Sequence, residues 1–214
     1  MVALAMAGAI VVVGTVLLVN MDRPPRVAIV LPTQQPIQPR SALPVPSPPL
    51  GRSVRLAPIG DFPVADAEAL VAHYRAKFDL EIELLPSILI PDDAFDPERR
   101  QVIAERVLDT IRAEHAATDP EVVVIGLTSA DMYIAGKTWR YAYGLRADGH
   151  LAVVSTARMG AGVDDDRRMQ RLRKMVTKNI GILYYGLPVS DDPSSVLFKD
   201  ILGPDDLDRV SEDF

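Results

Sequence analysis

The 214 residues are 48% hydrophobic and 24% charged, a composition that supports one domain with a sizeable core plus an appendage and excludes a fibrous or disordered chain. The absence of cysteine excludes a disulfide framework, a thiolate zinc site and a cysteine nucleophile, and only three histidines are present, His73, His115 and His150. The net charge is −6 and no basic run interleaves with aromatics, so a nucleic-acid partner is not expected.

Residues 2–19 form an uncharged run of apolar or small residues, about the shortest length that spans a bilayer as a helix. A cleavable signal peptide is the rival reading, but no basic residue precedes the run and its apolar core is long for that role. We therefore expect a single-pass anchor over 1–21, with the membrane as partner through residues 2–19. A Pro-rich linker over 22–51 follows, its prolines favouring an extended, semi-rigid spacer rather than a motif for a polyproline reader. Arg23 and Arg26 after the span would keep the rest of the chain cytoplasmic by the positive-inside rule. The spacer favours an extracytoplasmic domain, and that is the placement expected.

The folded domain is expected over 52–214. Val54–Pro58 reads as a strand, Ala65–Phe78 as a helix and Leu80–Leu85 as a second strand. Asp96 followed by Pro97 reads as an N-cap and first-turn proline, with Val102, Ile103, Val107, Leu108 and Ile111 on the buried face of the helix they start. Glu121–Leu127 is a near-continuous apolar run, suited to a strand covered on both faces. Arg140–Arg146 and Leu151–Thr156 read as a hairpin turning at Asp148 and Gly149. Arg167–Leu187 then predicts one long amphipathic helix, apolar at Leu172, Met175, Val176, Ile180, Leu183 and Tyr184 and stopped by Gly186. The acidic tail carries a turn at Asp192 and Pro193 and a short helix from Pro204 to Val210. The alternation predicts an α/β (α+β) fold with a mixed sheet and helices packed against it.

Several stretches from Val54 onwards carry a resemblance: Ala94, Phe95, Asp96 and Pro97 with Arg100 and Gln101; IGLTSADMY over 125–133; YAYG over 141–144; and AVVSTARM over 152–159. In this order and spacing the chain resembles the archaemetzincin family of zinc-dependent metallopeptidases. The resemblance implies a zincin-like fold whose long helix carries H-E-x-x-H-x-x-G-x-x-H. Two histidines at i and i+4 then reach one metal from one helical face, and the glutamate between them acts as general base. In this chain Lys178 stands at the first ligand position, Asn179 at the glutamate, Ile182 at the second ligand and Pro188 or Val189 at the third, with Gly186 one residue late. Val196 and Leu197 stand where the family's turn methionine would be. The cysteines that bind a second zinc in the tail of family members are absent as well.

An ammonium repels a dication and isoleucine offers no lone pair, so no catalytic residue, metal ligand or cofactor is expected from this motif. Other sites are weaker still. The histidines lie on separate elements, Asp164–Asp166 suit helix capping better than calcium, and nothing in the spacing demands a Ser155–Lys178 dyad. Two functional readings remain. The first is a membrane-anchored pseudopeptidase that binds a peptide or protein without chemistry, along the hairpin strand beside the former cleft, with Ser155, Thr156, Tyr184 and Tyr185 as contacts. The alternative is an active peptidase or hydrolase that uses a non-standard metal or nucleophile site.

Overall fold

The computed structural model describes residues 47–49, 51–115 and 119–214. The expected anchor over 1–21, and all of the 22–51 linker except residues 47–49 and 51, lie outside the described residues. Among the described residues, no helix is long and apolar enough to cross a membrane.

Alternating patches of Val, Ile and Leu build the main sheet. Strands β1 (Ser53–Ile59), β2 (Ile82–Leu84), β5 (Val122–Thr128), β7 (Gly144–Ala147) and β8 (Leu151–Ser155) run in the order β2-β1-β5-β8-β7. All neighbours are parallel except the β7–β8 hairpin. Its turn needs positive φ at two successive residues, and Asp148 (φ 55°) and Gly149 (φ 74°) supply them. Val123, Ile125 and Leu127 point to one face, with helices α1 (Val64–Phe78) and α3 (Asp165–Asn179); Val124 points to the other, with α2 (Ala104–Glu114). Burial on both faces is what the near-continuous apolar run of β5 anticipates. α2 lies so close to the sheet that a Cβ on Gly126 would stand 2.5 Å from the Ile111 side chain.

A small second sheet corrects one expectation. Asp96 does not cap a helix. It lies in β3 (Phe95–Asp96), which turns back into β4 (Gln101–Ile103), and β4 runs parallel to β6 (Met132–Tyr133). Its carboxylate accepts from the backbone N–H groups of Glu98 and Arg99 and from the Tyr133 hydroxyl, and Arg100 at φ 56° completes the reversal. The same oxygen that would cap a helix caps this turn instead, and α2 starts later, at Ala104.

The long helix also ends differently from the single run expected. After Asn179 the winding widens to a π turn over Ile180–Tyr184, with Tyr185 N–H bonded to Ile180 O and Leu187 N–H to Gly181 O. Gly186, at φ 67°, ends it. The chain then wraps back over this helix end: Val196, Leu197, Leu207 and Phe214 join the core, and α4 (Pro204–Arg209) lies against α3. Gly181 makes that approach possible, since a Cβ there would lie 2.6 Å from the Phe214 ring and 2.8 Å from Leu197.

Candidate functional site

Helix α3 positions the site. Asp164 caps it, its side chain accepting from Arg167 N–H at 2.8 Å, and Asp165 and Asp166 fill the first turn. Leu172, Met175 and Val176 bury the apolar face. A second row on the helix, Arg171, Lys174 and Lys178, is buried too, at 4, 5 and 4% exposure. Cations at this depth need partners.

Two of the three find them in the tail. Arg171 grips the Asp208 carboxylate with two bonds of 2.8 Å and donates a third to Met159 O at 2.6 Å. Lys174 donates to Leu207 O at 2.8 Å and Asp208 O at 3.3 Å. The Arg171 hydrogen bonds hold the Asp208 carboxyl below the usual carboxylate range, while burial lowers Lys174.

Lys178 finds much less. Its ammonium donates to Phe198 O, and burial, reinforced by the nearby Arg146 charge and opposed by Asp200, pushes it down to about 8. It lines a cleft of about 690 Å³ bounded by the loop before β7, β7 itself, the end of α3 and residues 199–202. Arg146, on β7, is exposed into this cleft, yet the surrounding walls remove enough water to lower its guanidinium. Its guanidinium donates to Asn179 Oδ1 at 3.3 Å, and the Asn179 amide in turn donates to Met175 O at 2.8 Å. The Asn179 side chain thus fixes which way Arg146 is held.

Lys137 and Arg140 add further positive charge to the lining, and Lys199 is paired with Asp191 at 2.7 Å. Among the described residues, Asp200 is the one carboxylate of the lining. Among the described residues, no carboxylate lies at ion-pair distance from Lys137, Arg140, Arg146 or Lys178. Trp139 (50% exposed) and Leu202 (66%) make an apolar rim.

The sequence-predicted residues divide. Lys178 and Asn179 face the cleft; Ile182 packs against the core and Pro188 is exposed beyond Gly186. Lys178 is not the solvated surface residue that a charged helix position suggests. Ser155, Thr156, Tyr184 and Tyr185 do not line the cleft. Ser155 lies within the sheet, its hydroxyl donating to Ala130 O at 2.6 Å, and Thr156 follows it, buried. Tyr184 is core, and Tyr185 stacks edge-on against Tyr184 and Phe214. Ser155 and Lys178 therefore bond to different carbonyls and form no dyad. Strand β8 is interior, paired on both sides, so its hairpin partner β7 is the edge strand at the cleft. His73 lies on α1 near Glu212, His115 ends α2 and His150 sits in the hairpin, each on a separate element.

Sequence reasoning missed Arg146, Trp139 and Asp200. They come from segments distant in the chain. The one visible signal was the basic row at 171, 174 and 178, whose three- and four-residue spacing puts it on one helical face.

No family model matches the chain. An archaemetzincin of Haloquadratum walsbyi is 28% identical over 153 residues, covering 67% of this chain and 84% of that protein. The crystal structure of the Methanopyrus kandleri archaemetzincin superposes with a TM-score of 0.61 at 26% identity, over 78% of this chain and 91% of that one. The chain is archaemetzincin-like. A zinc-dependent peptidase from Methanocorpusculum labreanum shares the fold, with a TM-score of 0.61 at 22% identity over 76% of this chain and 95% of that one.

The residues of this archaemetzincin-like domain do not fit the zinc that the resemblance implies. At the first motif position stands an ammonium, at the second an amide whose two ends are bonded to Arg146 and Met175, and at the next ligand position a half-buried isoleucine packed against the core. Among the described residues, no group of three or more His, Asp or Glu side chains is placed to hold a metal.

Proposed function

We propose that the chain is a membrane-anchored, archaemetzincin-like pseudopeptidase that binds a peptide or protein segment in this cleft without cleaving it. The observation that carries the reading is the replacement of metal-ligand chemistry by Lys178 and Asn179 at the wall of an open cleft. The outer edge of β7 borders the same cleft, and an edge strand offers backbone groups to an extended segment. Incubating the full-length chain with a mixed peptide pool, then analysing bound and free fractions by mass spectrometry, tests it. Retained, uncut peptides are expected; new termini that grow with time would overturn it.

Lys178 also favours a second reading, a hydrolase with a non-standard nucleophile or base. An amine pushed down to about 8 is partly neutral near physiological pH. Turnover abolished by Lys178→Met and retained in Arg146→Met would select that reading.

Anchoring through residues 2–19 and an extracytoplasmic domain belong to the same proposal. The full chain should sediment with membranes, resist carbonate extraction and be open to protease added outside intact cells. Release by carbonate would remove the anchor from the account.

A further inference from the structure

We propose that the segment bound in this cleft is a carboxylate-bearing peptide, with Arg146 and Lys178 closing on the carboxylate while Trp139 and Leu202 receive apolar side chains beside it. This rests on the binding reading above and names its ligand chemistry.

The charge distribution argues for it. The chain as a whole is acidic, at −6, yet it concentrates Lys137, Arg140, Arg146 and Lys178 around one concavity. A concave wall of one sign focuses field towards an ion of the other. Lys199 already has Asp191, and Asp200 alone opposes the rest from within the lining.

Donor geometry narrows the ligand. A guanidinium carries five N–H donors in a planar fork that matches a carboxylate. Arg146 donates one bond, to a neutral amide, which leaves its fork open to the cleft. Arg171, the same residue type on the adjoining helix, shows what a completed fork looks like in this protein: two 2.8 Å bonds to one carboxylate. Lys178, on the end of α3 beside the Asn179 that Arg146 bonds, adds a second cation to the same lining. The open edge of β7 and the apolar rim then suit a peptide rather than a small anion alone.

Trp139 is the chain's one tryptophan and stands at the cleft mouth, so its fluorescence reports occupancy. The full-length chain is titrated with three peptides: acetyl-Ala-Leu-Ala-Glu-Ala-amide, acetyl-Ala-Leu-Ala-Gln-Ala with a free C-terminus, and acetyl-Ala-Leu-Ala-Gln-Ala-amide. One or both carboxylate peptides should bind at least about tenfold tighter than the neutral one, the value of a charge-assisted bond, and the tighter of the two names a side-chain or terminal source. Arg146→Met, at an exposed position that leaves folding intact, and Lys178→Met should each erase the preference while sparing the neutral peptide. Equal binding of all three overturns the carboxylate proposal and leaves the binding module standing. No binding of any peptide to millimolar concentration overturns both.

Discussion

Arg171 and Lys178 stand on one face of one helix, about two turns apart, and end in opposite circumstances. Arg171 is closed in by a tail carboxylate and a backbone carbonyl; Lys178, equally buried, meets one carbonyl and a second cation. The first is a clamp that fastens the C-terminal segment to α3. The second is a charge without its counter-charge, at the wall of a cleft. Equal burial therefore does not set a cation's surroundings here: of Arg171 and Lys178, Arg171 alone meets a carboxylate.

Breaking the clamp should have the largest effect. Asp208→Ala leaves Arg171 buried without its carboxylate and Arg167 without its ion pair, a loss of about 3 kcal/mol, read as a lower urea midpoint. Gly181→Ala attacks the same docking through packing: its Cβ would meet Phe214 and Leu197 within 2.8 Å, and overpacking of this kind costs about 2 kcal/mol. Lys178→Met should move stability the other way, up by about 1 kcal/mol, because an unmatched cation leaves a buried site.

The two regions should also part in their pH dependence. Asp208 has a lowered folded pKa, so the clamp's contribution is complete above the ordinary carboxylate value of 3.8 and is lost as pH falls through the folded one. Lys178 has a folded pKa of about 8 against 10.5, so between these values the unfolded chain binds more protons and stability rises with pH. The rise should shrink in Lys178→Met, leaving the share of Lys174, whose ammonium burial also lowers, measured by urea unfolding from pH 7.5 to 9.5, a window of about two units.

Much of the architecture was legible in the sequence because the core repeats at the period of its elements. The runs of β1, α1 and β5, the Asp-Gly turn and the apolar row of α3 all carry their own pattern. Asp96–Pro97 misled because an Asp side chain caps a helix and an Asx turn with the same oxygen, and local sequence does not say which backbone N–H groups lie in reach. Tyr184 was read both as part of the buried row and as a cleft contact, and it lies in the core; Tyr185, the other expected contact, packs edge-on against Tyr184 and Phe214. The cleft itself gathers residues 137–146, 175–179 and 199–202, and that meeting depends on tertiary packing. Lys178 and Asn179 were singled out only because the resemblance put motif positions there.

The most direct test of the account is the metal content of the purified full-length chain, expressed with zinc supplied and dialysed without chelator. An ammonium and an amide in place of imidazoles predict less than about a tenth of an equivalent of zinc per folded chain, and an unfolding midpoint unchanged by chelator. Stoichiometric zinc, with stability lost on chelation, would contradict it.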